Sequence, residues 1–145
     1  MQPLHAADRI SDDPRMHESA TELENLQSLI DESYRNAGRH LRTIHTDERR
    51  LSAAEVCTLL RGVCVLNLAT VTAAGAPVVA PVDGLFLHGA FWFGSAPDSE
   101  RFRHIRANPR VSAAYTVGEE ISIVAHGIAH EIDTATGRYE DLRSY

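Results

Sequence analysis

Residues Phe93 to Arg103 read Phe-Gly-Ser-Ala-Pro-Asp-Ser-Glu-Arg-Phe-Arg, which puts two hydroxyls and two guanidinium groups into one short stretch. Ser99 is placed to cap a helix over Glu100 to Ala107, and the first-turn amides of a helix lack internal acceptors and carry partial positive charge. An anion, above all a phosphate, suits such a place. Arg101 falls in the first helical turn, where a cation opposes the helix dipole and calls for an anionic partner. The same residues also fit a plain capped helix with solvated arginines, because serine is common at helix starts on capping grounds alone. At this level both readings stand.

Other residue types that carry chemistry are less promising. His126 and His130 are four apart, a spacing that brings two ligands to one metal on a helix. On the strand expected there they stand about 13 Å apart, too far to share an ion, although one histidine alone can serve as an axial haem ligand. Cys57 and Cys64 form neither a C-x-x-C motif nor half of a metal set, and they read as reduced core residues. Asp83, Glu119 and Glu120 make no recognisable acid-base pair. Phe91, Trp92 and Phe93 alternate across a strand and read chiefly as core.

The elements that must position the phosphate segment follow from periodicity. Thr21-Glu-Leu-Glu24 is a capping-box pattern and predicts a helix start. Leu23, Leu26, Ile30 and Tyr34 form its apolar stripe, with Gly38 at its end. The stripe predicts packing on the rest of the domain or on a partner subunit. A second box, Ser52-Ala-Ala-Glu55, starts a helix that buries Val56, Leu59 and Leu60 and stops at Gly62. Val63 to Val71 reads as a strand buried on both faces. A turn at Thr72 to Gly75 leads to a strand from Pro77 to Val82, whose two prolines require an edge or a bulge, with Asp83-Gly84 as the candidate bulge. The ribbon continues to His88, turns at His88-Gly89 and returns through Ala90 to Phe93. After the short helix, which Asn108-Pro109 ends, strands are expected at Val111 to Val117 and Ile121 to Asp133 around a turn at Gly118-Glu119. At least five strands with one helix inserted between the third and fourth indicate a barrel rather than a doubly wound sheet.

Composition bounds the function classes. The chain has 145 residues, 43% hydrophobic and 23% charged, enough for one self-sufficient domain. A net charge of −6 opposes general attraction to nucleic-acid phosphates, yet leaves room for a local basic cluster that holds one small phosphate. No apolar run approaches the ~20 residues of a membrane helix. The N-terminus lacks the basic and apolar regions of a secretory signal, and the first sixteen or so residues read as a tail, so a cytoplasmic location is expected.

The order Leu68-Ala-Thr-Val71, Gly75-x-Pro77, Pro81-Val82, Trp92-Phe-Gly-Ser95, Ser99-x-Arg101, Asn108-Pro-Arg-Val111 and Gly127-x-Ala129 resembles the pyridoxamine 5'-phosphate oxidase-like family over roughly Leu51 to Asp133. The resemblance implies a mainly β split barrel with flanking helices (residues 51–145), preceded by an N-terminal tail and helix (residues 1–50). It also implies a homodimer that binds flavin mononucleotide (FMN), a deazaflavin or, as a variant, haem, and that acts on a small molecule. By position, Ser95 corresponds to the hydroxyl residue that ends the third strand, and Ser99 and Arg101 to the residues that grip the phosphate. Phe93 and Gly94 lead into that loop. Ala80, Pro81 and Val82 correspond to the strand whose backbone runs beside the isoalloxazine ring.

Two departures are visible. Ala80 stands where oxidase-type members commonly carry a basic residue, so the pyridoxamine phosphate oxidase reaction itself is not expected. The family also normally continues through another helix and a final strand, whereas this sequence stops at Tyr145, which predicts an edge in need of cover or an incomplete barrel. The resemblance thus implies a flavin- or deazaflavin-dependent oxidoreductase, a non-catalytic flavin- or haem-binding barrel, or a degenerate member whose long helix serves association. A flavin supplies the redox chemistry, so no catalytic side chain is required, and no metal ligand is expected.

Overall fold

The structure, a computed structural model, describes residues 18–133. The expected N-terminal tail and the chain after Asp133 lie outside the described residues. The chain divides into two compact units, one running up to Arg61 and including Phe86–Ala90, the other comprising Gly62–Leu85 and Phe91 onward.

In the first unit, α1 spans Ala20–Asn36 and is capped by Ser19, whose hydroxyl accepts the Glu22 amide while the Glu22 carboxylate accepts the Ser19 amide at 2.7 Å. The expected box at Thr21 and Glu24 is therefore displaced by two residues. Both pairs satisfy the pattern, and the earlier one lengthens the helix, adding a hydrogen bond per residue once the first turn exists. Leu23, Leu26, Ile30 and Tyr34 are half-buried, as the stripe predicts. They belong to a helix that packs on this chain's own α3 (Ala53–Leu59): Gln27 Oε1 accepts the Ala53 amide at 2.9 Å, satisfying one of the orphan donors at the start of α3. Arg50 donates to Asp31 at 2.6 Å and lies 4.1 Å over the Tyr34 ring, fixing the connection between the two helices.

Gly38 does not end α1 in a left-handed conformation. Its φ is −62°, and it begins a further short helix, α2 (Arg39–Ile44), which is followed by a 3-10 turn at Asp47–Arg49. Neither element was legible, because neither has a buried residue to impose a periodic pattern. The Ser52 and Glu55 box is present as expected, and α3 buries Ala53, Val56 and Cys57, with Leu60 at its C-cap. Leu59 is only half-buried. Gly62 follows with φ +69°, the left-handed residue that lets the chain leave the helix.

The second unit holds most of a five-stranded antiparallel sheet in the order β3-β2-β1-β4-β5. Its strands are β1 (Cys64–Val71), β2 (Pro77–Leu87), β3 (Ala90–Phe93), β4 (Arg110–Val117) and β5 (Ile121–Ile128), with α4 (Glu100–Ala107) between the third and fourth. This is the mainly β, split-barrel class with flanking helices. The β2–β3 connection is His88-Gly89 with φ of 56° and 72°, both positive, as a two-residue hairpin turn of matching twist requires.

Three expectations for the sheet are corrected. β1 is not buried on both faces: Cys64, Leu66, Leu68 and Thr70 point into the core, while Val65 on the other face is 60% exposed. The continuous apolar run arises because the outward face also carries Val65, Ala69 and Val71. Nor is there a bulge at Asp83-Gly84, since the β1–β2 register runs unbroken from Val71 opposite Pro77 to Cys64 opposite Gly84. Gly84 serves packing instead. A Cβ there would stand 2.9 Å from Leu66 Cγ and 3.2 Å from the Trp92 carbonyl oxygen, so the bare backbone makes room for Leu66. β5 ends at Ile128, short of the expected Asp133.

Candidate phosphate-binding site

Helix α4 is held against the sheet before it presents any charge. Ile105 is 5% exposed, and Thr70, a buried polar residue of β1, is satisfied by His104 Nδ1 at 3.0 Å. Ser99 caps the helix, its hydroxyl accepting the Phe102 amide at 3.3 Å. With α4 fixed in this way, Arg101 reaches back towards the end of β3 and the edge of β2.

There the segment singled out from sequence comes together. Ser95 Oγ donates to Ser99 Oγ at 3.0 Å, Arg101 Nη1 donates to Ser95 Oγ at 3.4 Å, and Arg101 Nη2 donates to the Pro81 carbonyl at 3.1 Å. Among the described residues Arg101 has no carboxylate partner, although Glu100 beside it pairs with Arg103. The guanidinium is thus oriented by neutral oxygens and retains its full charge.

The donor count shows what this arrangement lacks. A guanidinium has five N–H donors and Arg101 uses two. Ser99 Oγ already accepts from Ser95 and Phe102, which leaves its own hydroxyl hydrogen to give. The amides of Glu100 and Arg101, first in α4, have no protein acceptor among the described residues. The capacity left on Arg101, on the Ser99 hydroxyl and on the two amides is all donor, so their complement is an acceptor-rich anion.

The remaining residues expected at the site fall into two sets. Pro81 contributes its carbonyl. In an antiparallel strand the amide and carbonyl of one residue point to the same side and alternate along the chain. Because the Pro81 carbonyl meets Arg101, away from β1, the backbone groups of Ala80 and Val82 face β1, and their side chains lie on the core face opposite Leu68 and Leu66. The backbone groups that turn away from β1 are those of Val79, Pro81 and Asp83. Phe93 is half-buried at the end of β3, and Gly94 is exposed with open space where a Cβ would stand.

Sequence reasoning did not single out Arg106 and Glu131. Arg106 donates to the Pro97 carbonyl at 2.8 Å and forms a two-bond pair with Glu131 at 2.7 and 2.9 Å. No local pattern links residues 25 positions apart on either side of two strands. Elsewhere, no three or more His, Cys, Asp or Glu side chains gather so as to hold an ion among the described residues. His126 instead lies with its Nδ1 2.7 Å from Ser112 Oγ, directly across the β4–β5 ladder. Cys57 and Cys64 are both free and buried.

A split-barrel sheet with a donor-lined loop between its third strand and an inserted helix defines the class. The family model described as pyridoxamine 5'-phosphate oxidase matches residues 52–144, and the chain belongs to that family, whose domains typically bind flavin. No curated protein and no solved structure gives a significant match. No helix among the described residues is long and apolar enough to cross a membrane.

Proposed function

We propose that the chain binds FMN and works as an FMN-dependent oxidoreductase of the pyridoxamine 5'-phosphate oxidase-related type on a small molecule. The observation that carries this reading is the surplus of donors on Ser99, Arg101 and the first amides of α4, with no acceptor among the described residues to meet them. A terminal phosphate is dianionic and offers three oxygens, which suits a guanidinium, a hydroxyl and two amides better than a mono-anionic carboxylate or diester does. The side of β2 turned away from β1, to which the Val79 backbone points, offers backbone partners for the polar edge of a ring. When bound, the flavin supplies hydride and electron transfer. The chain's residues hold the phosphate, orient the ring and exclude water.

Alanine at position 80, where oxidase-type members commonly carry a basic residue, turns the reading away from the pyridoxamine phosphate reaction and towards another acceptor. The working form is a homodimer. Val65, Val79, Val124 and Ile128 lie on the non-core side of the sheet and are 60%, 67%, 53% and 52% exposed, a concentration of apolar surface that subunit contact would cover. The two reduced thiols suit the cytoplasm.

The test is a fluorescence titration of cofactor-free protein with FMN and with riboflavin. FMN should bind much more tightly than riboflavin, and Arg101→Ala should weaken FMN binding by about 1.5 to 3 kcal/mol, the worth of charge-assisted hydrogen bonds. Equal affinity for both ligands, or an Arg101→Ala variant that binds FMN like the parent, rejects the phosphate role. A deazaflavin or haem recovered by mass spectrometry from freshly isolated protein would replace FMN as the cofactor.

A further inference from the structure

Arg106, Glu131 and the Pro97 carbonyl form three hydrogen-bonded groups at the phosphate loop, flanked by the Phe102 ring, and the contacts of Arg101 involve none of them. Arg106, in the last turn of α4, sends Nη1 to the Pro97 carbonyl at 2.8 Å, in the middle of the loop that runs from Ser95 to Ser99. Its Nε and Nη2 are taken by the two carboxylate oxygens of Glu131, just beyond β5, at 2.9 and 2.7 Å. The Phe102 ring lies under the guanidinium, 5.6 Å from centroid to Cζ. A lone arginine so near the surface would sample many rotamers, but a two-bond carboxylate fork fixes its plane and thereby aims the third donor. Pro97 makes the choice of contact informative, because a proline has no amide and its carbonyl is what it can offer to a tether.

We infer that Arg106, aimed by Glu131, is a positioning residue for the phosphate loop: it holds Ala96 to Ser99 in the shape that brings Ser95 and Ser99 together for the anion. This inference rests on the FMN reading above. The loop's own bonds are few, with the Ser99 amide to the Ala96 carbonyl at 2.9 Å closing its turn and the Ser95–Ser99 hydroxyl contact at 3.0 Å spanning it. Without the tether at Pro97 the hydroxyls are free to part, and the ordering cost then falls on the binding of the phosphate. The inference also gives the residues after β5 a part in the site, since Glu131 belongs to that segment.

Three variants and two readouts test it. Arg106→Gln should weaken FMN binding about 3- to 10-fold, the worth of one ordered hydrogen bond, and leave riboflavin binding unchanged. The exchanged pair Arg106→Glu with Glu131→Arg restores the attraction between the two positions but offers no donor from position 106 to Pro97. It should recover thermal stability and not FMN affinity. Hydrogen exchange on ligand-free protein provides the second readout: in Arg106→Gln the Ser99 amide should exchange faster, while amides of β1 stay protected. Circular dichroism confirms that each variant is folded, and Glu131→Gln serves as the milder alternative should Arg106→Gln fail to fold.

Wild-type FMN affinity and unaltered Ser99 exchange in both Arg106→Gln and Glu131→Gln overturn the inference while leaving the FMN reading intact, provided Arg101→Ala still loses the ligand. Full recovery of FMN affinity in the exchanged pair also overturns it, by showing that the ion pair matters only for stability. Failure of the parent protein to distinguish FMN from riboflavin overturns the FMN reading and this inference with it.

Discussion

Arg101 illustrates how much of a site depends on the type of a single residue. Its planar fork reaches Ser95 Oγ and the Pro81 carbonyl at once and still has donors to spare. A lysine would carry the charge without spanning both partners, so Arg101→Lys is expected to bind FMN more weakly than the parent and more tightly than Arg101→Ala in the same titration. At Gly84 the requirement is for space rather than charge. A methyl group there meets Leu66, itself fully buried, and the Trp92 carbonyl. Gly84→Ala should therefore cost about 1 to 3 kcal/mol, the usual range for overpacking, read from the denaturation midpoint. A stability equal to the parent's would show that Leu66 can move aside freely. The cysteines act as passive core residues. Burial first, and then the Glu18 carboxylate, push the Cys57 thiol up to about 12, and burial raises Cys64 as well. At pH 8 both should resist a thiol reagent until the protein unfolds; rapid labelling of native protein would contradict their burial.

Elements were legible where a local rule is strict. The Ser52 and Glu55 box, the Ser99 cap, the His88-Gly89 turn and the stop at Asn108-Pro109 all appear where backbone chemistry places them. Two overlapping boxes, Ser19 with Glu22 and Thr21 with Glu24, could not be ranked from sequence because they differ only in helix length. The burial of β1 was misread because its outward face is itself apolar, and periodicity reports the pattern of side chains rather than what covers them. The strand parity at Pro77 and Pro81 was legible in principle. Prolines four apart must both turn their missing amides to the same side, away from β1, and so the carbonyl at position 81 had to face the free side. The pairing of Arg106 with Glu131 depends on tertiary placement and left no trace in the local pattern. The Ser52 cap yields a prediction at this scale. It satisfies a first-turn amide of a helix that buries three side chains, so Ser52→Ala should lower stability by about 1 kcal/mol in urea denaturation. No change in midpoint would mean that water replaces the hydroxyl without cost.

At the scale of the whole molecule, these local devices combine into a pH profile. The Ser19 amide lowers the pKa of Glu22, the Ser52 amide does the same for Glu55, and the Arg106 side chain for Glu131. Each carboxylate is ionised more readily in the folded chain than at its ordinary 4.5, so the stability it contributes is fully present above 4.5 and is lost as pH falls through the lowered folded values. The thiols act at the other end with the opposite sign. Cys57 and Cys64 are raised above the ordinary 9.0, so the unfolded chain releases protons that the folded chain keeps, and stability declines as pH rises beyond 9.0. Because the chain has no lysine, no lysine titration overlaps the alkaline limb. Urea midpoints measured across pH should therefore form a plateau between about 4.5 and 9 with a fall on each side. Glu55→Gln should make the acid limb shallower, and Cys57→Ala should do the same on the alkaline limb. If the acid limb keeps its full slope in Glu55→Gln, the capping carboxylate is not the group being titrated, and the link between cap geometry and acid stability fails.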